Sequence, residues 1–402
     1  MKKSTVQALA AIAVIVVLLL TQSAPLSAAS PALRGKPPTP AKWTFMVYID
    51  GDNNLDAYVP LDIETELAPA GSNEDVSVVV LADRAATAKW SQTLLFYVTP
   101  GMEATPQNAA ADWGEANMGD PQTLIDFVLW TKDHYPADHY ALTFWNHGWS
   151  WRPSQSIRDE TDLDTLDQHE IEAALDIVGP IDVIAYDACQ MATIENQATV
   201  TGHAQAFVAS QEYLNMDGIE YELVIPALQD NPDMTADDLA IVINQSTSST
   251  RERTGSAVAL DERWDVLIEA VDAWAVALQG SLADYRSDYN SAFRSAKFFW
   301  GDRTAKDLYD LAYGINARID DPDLRAKSQA VMSAIDGVVL DEWHTKPYHD
   351  AHGISIFLPM QAQDLDVASS PDWNDFEYYR EMLVFSRLTH WDEFLDAFIN
   401  GP

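Results

Sequence analysis

Apolar and polar positions along this chain fall into blocks, and the period of the pattern changes from block to block. Trp43–Asp50, Val76–Leu81, Leu94–Val98, Tyr140–Trp145, Ile181–Tyr186, Ala206–Ser210 and Ala257–Leu260 are short apolar runs bounded by polar or turn residues, which predicts strands. Their near-continuous apolar character suits strands covered on both faces, with Leu94–Val98 open to antiparallel pairing. Between them, Leu55–Leu67, Pro121–Lys132 and Asp167–Val178 read as helices. The last carries a start signal, Thr165 as N-cap with Gln168 three residues on. From Asp261 to Leu340 the pattern is helical, with stripes such as Trp264, Leu267, Ile268, Val271 and Trp274. Ile354–Leu358 returns as one further strand, and Trp391–Phe398 is a short amphipathic helix. Strands alternating with helices predict an α/β fold: a mostly parallel sheet with helices on both faces and a C-terminal helical annex.

The amino terminus follows another rule. Met1–Lys2–Lys3 precedes an apolar run, Ala8–Leu20, and Ser27–Ala28–Ala29 offers small residues for cleavage. That describes a secretory signal peptide over residues 1–29, and so a secreted or cell-envelope protein. The run is shorter than the ~20 residues a spanning helix needs; a retained N-terminal anchor is the alternative. Residues 30–41 read as a linker, 42–260 as the core, and 261–402 as a mainly helical region completing the same domain. Formal charge is −38, or −40 without Lys2 and Lys3. Such a surface repels nucleic acid and anionic membranes and attracts cationic partners.

Among 402 residues there is one cysteine, Cys189. A lone thiol makes neither an intrachain disulfide nor a thiolate metal cluster, which leaves a buried small residue or a nucleophile. It stands where the Ile181–Tyr186 strand empties into a loop, just ahead of a helix expected over about Gln190–Thr199, whose dipole would favour a thiolate. The Tyr140–Trp145 strand ends in Asn146–His147–Gly148. One strand delivering a histidine and another a cysteine predict a catalytic pair at one sheet edge. His147 would hold and return the proton, and the N–H groups of Gly148 and Cys189 would cradle the oxyanion. No His, Asp or Glu pair has zinc spacing, so no metal ligands are assigned.

Five segments together resemble the clostripain family of cysteine peptidases, within the caspase-like and gingipain-like group. They are Trp43–Leu55, Trp145–Gly148, Tyr186–Ala192, Ala209–Glu212 and Ala351–Ser355. The resemblance implies a caspase-like αβα sandwich and an endopeptidase that cuts after Arg or Lys by a Cys189/His147 dyad. It implies protein or peptide substrates with exposed Arg or Lys, and a monomer or a nicked two-chain form. Asp187 matches the family position thought to pair with the basic side chain in the S1 pocket, and Asp217 is a candidate second acidic wall there. Some relatives depend on calcium, although the chemistry requires no cofactor. Asp50, Asp52 and Asn54 open like a calcium loop, but Leu55 and Leu61 stand where that loop needs Gly and Glu. Asp159–Asp164 could offer oxygen ligands, yet reads more simply as a solvated loop. Arg158–Asp159, in a segment expected to be a flexible loop, is the expected site of self-cleavage, as in related zymogens. Two other readings remain open: a catalytically idle, acidic surface-binding module, and a peptidase with a non-basic P1 preference.

Overall fold

Nine strands pair in the order β12-β10-β9-β8-β5-β1-β2-β3-β4, as seen in a computed structural model that describes residues 40–153, 156–247, 253–300, 302–365 and 375–401. The expected signal peptide and nearly all of the linker lie outside the described residues. The strands are β1 (Ala41–Gly51), β2 (Val76–Arg84), β3 (Leu94–Tyr97), β4 (Ala111–Asp112), β5 (Ala137–Trp145), β6 (Arg158–Asp159), β7 (Asp164–Thr165), β8 (Val183–Asp187), β9 (Ala206–Ala209), β10 (Thr254–Ala259), β11 (Ala305–Asp307), β12 (Val339–His344) and β13 (Ser355–Phe357). The β2-β1-β5-β8-β9 centre is parallel, and the added strands on either side, β3 included, are antiparallel.

Alternation along the central strands splits the core in two. Met46, Tyr48, Leu142, Phe144, Ile184 and Tyr186 face one layer. Trp43, Phe45, Val47, Ile49, Val183 and Ala185 face the other. The second layer comprises α1 (Val59–Leu61, continued by a π turn over Asp62–Leu67), and the later helices Tyr221–Asp230 and Ala236–Thr247. The first comprises α2 (Pro121–His134), α3 (Gln168–Val178), α4 (Ile194–Val200) and helices from Glu262 onward. Apolar runs covered from both sides thus become parallel strands, and the result is a caspase-like αβα sandwich.

Three local expectations are corrected. The N-cap of α3 is Asp167, which forms a capping box with Glu170, while Thr165 lies in β7. The aspartate wins because its carboxylate also meets the positive end of the helix dipole. Ile354–Leu358 does form a strand, but β13 pairs with β11 in a separate two-stranded ladder, and the annex instead supplies β12 to the main sheet. Arg158–Asp159 is β6, hydrogen-bonded to β7, rather than loop. No single helix among the described residues is long and apolar enough to cross a membrane.

Candidate active site

The register of β5 and β8 sets the site. Trp145 pairs with Asp187 at the last rung, so each strand has two residues more before it delivers His147 or Cys189. The two groups therefore leave neighbouring strands at the same height, on the carboxyl-terminal edge of the parallel sheet where α/β folds place their ligands. The next contact confirms the closeness: a Cβ built on Gly148 would lie 2.3 Å from the Cys189 carbonyl oxygen and 3.0 Å from Ala188 Cβ. Only glycine fits there. Among the described residues no acceptor takes the Gly148 N–H, whereas that of His147 is held by Asn146 Oδ1.

What presents the sulfur differs from the expectation. The helix after Cys189 starts at Ile194, capped by Thr193, so its dipole is not directly behind the thiol. A tight turn does the work instead, with Gln190 in the left-handed region at φ 62° and its N–H on Glu212 O at 3.1 Å. Cys189 is half-buried, and its Sγ lies 3.9 Å from the Leu214 carbonyl oxygen.

His147 is held from the β1 side. Ile49 pairs with Trp145, which brings the Asp50–Asn54 turn beside the histidine. Asn54 Oδ1 lies 2.8 Å from His147 Nε2. Asn146 donates to Asp50 Oδ2 at 2.6 Å and accepts from Asn53 Nδ2 at 3.0 Å. Burial of the ring's inner side lowers the His147 pKa below the ordinary imidazole value, opposed by Glu160. Asn54 entered the sequence reading only as one position of a calcium loop that Leu55 and Leu61 rule out, so its place beside His147 was missed. Beyond His147, the chain is pinned by buried Arg152, which pairs with Asp302 and Asp375 of the annex.

Asp187 is buried below the Cys189 turn and accepts from Tyr221 Oη at 2.9 Å and from the Ile219 N–H at 3.2 Å. A Cβ on Gly218 would come 2.2 Å from Asp187 Oδ1. Asp217 is exposed on the same loop. Sequence reasoning also missed Asp62 and Glu66 from the second layer. Burial, then repulsion from Asp187 and Glu66, pushes the Asp62 pKa up to about 8. Burial and Asp187 likewise raise Glu66 to about 8, against the opposing Tyr221 N–H.

The remaining motif residues hold the sheet to the annex. Gln211 donates to Asp307 Oδ2 at 3.1 Å and to Ser355 Oγ at 3.0 Å, and accepts from the Gly353 N–H at 2.9 Å. His352 is bonded to Asp307 at 3.0 Å and stacked on Tyr309. Arg158, half-buried, offers its carbonyl oxygen to Asn146 Nδ2 at 3.3 Å and to Asn53 Nδ2 at 3.5 Å.

The chain is 30% identical to clostripain of Hathewaya histolytica over 183 residues, 38% of this chain and 35% of that relative, so the match spans about a third of the relative's length. Two crystal structures share the fold. A secreted cysteine protease from Bacteroides thetaiotaomicron, bound to an irreversible peptide inhibitor, superposes with TM-score 0.65 at 18% identity, covering 87% of this chain and 99% of that one. An inactive zymogen protease from Parabacteroides distasonis gives 0.63 at 18% identity, covering 88% and 99%. The sequence model of the clostripain family matches residues 47–398, and with that span of agreement the chain belongs to the clostripain family.

Proposed function

We propose that this protein is a secreted cysteine endopeptidase that cleaves after Arg or Lys, with Cys189 as nucleophile and His147 as its acid–base partner. The observation that carries this reading is the equal overhang of β5 and β8, with Gly148 seated against the Cys189 carbonyl. Asn54 Oδ1 can only accept, so His147 Nε2 bears the proton and Nδ1 is the basic nitrogen. Nδ1 takes the thiol proton as the sulfur attacks the scissile carbon, then returns it to the leaving amine. The Gly148 and Cys189 N–H groups receive the developing oxyanion. Water, deprotonated by the same nitrogen, releases the acyl group. No cofactor is required by these steps.

The basic P1 preference rests on charge. Asp187, Asp217, Asp62 and Glu66 gather near the thiol turn, and a desolvated guanidinium or ammonium group would find carboxylates on more than one side. Peptide substrates with exposed Arg or Lys follow from that preference. Self-cleavage after Arg158 requires β6 to leave β7 and its carbonyl to leave Asn146 and Asn53, so processing would accompany a local opening rather than nick a loose loop.

The test compares wild type with Cys189→Ala on fluorogenic peptides differing only at P1: Arg, Lys, Asn and Ala. The proposal expects turnover of the Arg or Lys peptide that disappears in the variant. Equal turnover by the variant would overturn it, and so would a preference for Asn or Ala. Intact mass of both proteins reports cutting at Arg158.

A further inference from the structure

Besides the carboxylates around Asp187, the thiol turn has aromatic neighbours that face solvent. Among the described residues Trp300 is the one exposed tryptophan, at 65%, and Tyr213 is 39% exposed. Single exposed apolar residues are ordinary, but these two are held side by side by one carboxylate. Glu212 has no exposed surface; its Oε1 accepts from the Tyr213 N–H at 3.0 Å and its Oε2 from the Trp300 N–H at 2.8 Å. A buried charge thus fixes where both aromatic side chains leave the main chain. Arg253 braces the pair, 3.5 Å from Glu212 Oε1 and with its guanidinium 5.3 Å from the centre of the Tyr213 ring. Trp300 tilts against Phe298, with ring centres 6.3 Å apart.

This ledge borders the nucleophile. Glu212 O accepts the Gln190 N–H at 3.1 Å, and Leu214 O lies 3.9 Å from Cys189 Sγ, so Tyr213 stands between two residues that touch the thiol turn. Burial, then Glu212 and Cys189, raise the Tyr213 pKa, which puts the phenol within electrostatic reach of the sulfur. The strand order β10-β9-β8-β5 fixes the side on which the ledge lies. Tyr213 follows β9 and Arg253 precedes β10, whereas His147 follows β5, so Cys189 on β8 lies between the ledge and the histidine. His147 protonates the leaving amine, and that half of the substrate departs on its side. The acyl half therefore lies toward the ledge. Successive side chains of an extended peptide point to opposite faces, so with P1 in the Asp187 pocket, P2 turns outward to the exposed rings.

We propose that Tyr213 and Trp300 form the S2 subsite and take a large apolar side chain, aromatic or aliphatic, from the residue ahead of the basic P1 residue. This assignment rests on the cysteine-endopeptidase reading. Rigid aromatic side chains offer wide apolar faces at little cost in conformational entropy, and the buried Glu212 has already set their positions before substrate arrives.

The test is kcat/KM of the full chain on fluorogenic peptides with Arg or Lys at P1, whichever wild type cuts faster, and Phe, Leu, Gly or Asp at P2. Wild type is expected to favour Phe and Leu over Gly by about tenfold or more, as partial burial of such a side chain against a ring provides. Tyr213→Ala and Trp300→Ala should each lower that ratio at least about threefold, and Tyr213→Phe should keep most of it. Tyr313→Ala, which removes an exposed aromatic on the helix Leu308–Arg318, should leave the ratio unchanged. Melting curves report folding; should Tyr213→Ala fail to fold, the exposed Trp300→Ala carries the same readout. A preference for Asp, equal turnover of the Phe and Gly peptides, or an undiminished ratio in the alanine variants overturns the S2 assignment and leaves the peptidase standing. Absence of turnover of every peptide, with Cys189→Ala indistinguishable from wild type, overturns the peptidase reading and the subsite with it.

Discussion

Gly148→Ala is the substitution whose outcome the geometry fixes most tightly. The new methyl carbon would sit 2.3 Å from the Cys189 carbonyl oxygen, 2.9 Å from Met191 Sδ and 3.0 Å from Ala188 Cβ. Met191 is flexible and can yield, but the carbonyl is main chain on the nucleophile itself. Relief to an ordinary contact of about 3.4 Å requires a shift of roughly 1 Å at the Cys189 peptide, and a misplacement of that size costs on the order of 100-fold in rate. That is about 2.7 kcal/mol of lost transition-state stabilisation. Overpacking should lower stability by a further ~1–3 kcal/mol. Gly148 is not in the left-handed region, so the effect would come from contact rather than backbone strain. The assay is kcat/KM on an Arg peptide, with circular dichroism and melting to confirm folding. Gly337→Ala, in a helix with open space around its Cβ, is the control and should be neutral or slightly stabilising. Activity of Gly148→Ala within about threefold of wild type, at unchanged Tm, would refute the packing of these two strand ends.

Three further outcomes are expected. Asn54→Ala removes the acceptor that fixes the His147 tautomer, so kcat should fall about tenfold or more with KM nearly constant, and Asn54→Asp should recover part of the loss. Asp62 and Glu66, raised to about 8, become anionic as pH rises through that value, so the kcat/KM ratio of Arg to Ala peptides should climb from pH 6.5 to 9, and Asp62→Asn should flatten the climb. Burial works to lower the His352 pKa, but Asp307 outweighs it and the net shift is upward. The pair therefore stabilises fully below the unfolded value near 6.5 and loses its contribution as pH rises through the higher folded value. Because the ring is 36% exposed, the contribution is about 1 kcal/mol, and His352→Gln should lower Tm more at pH 6 than at pH 9.

The strands were legible because β1, β5 and β8 are covered on both faces and therefore read as unbroken apolar runs. Motifs at two such strand ends were enough to expect Cys189 and His147 at the same sheet edge, since parallel neighbours in a sheet bring distant sequence together. What stayed hidden depends on which strand lies beside which. Asn54 meets His147 only because β1 is inserted next to β5. Asp62, Glu66 and Tyr221 reach Asp187 from the opposite layer, where nothing in their own segments marks them. Asp159 looked solvated because its neighbours are acidic, yet β6 folds it under the β1 turn with no exposed surface. The α3 cap was misplaced by two residues although Asp167 and Glu170 already spelled a capping box.

The central claim is that Cys189 is a thiol activated by His147, and its alkylation rate at pH 6 measures that directly. Iodoacetamide should modify Cys189 at least about 100-fold faster than free cysteine, whose thiol is almost wholly protonated there, and His147→Ala should abolish the advantage. A wild-type rate equal to that of an ordinary thiol, or one unchanged by His147→Ala, would contradict the account.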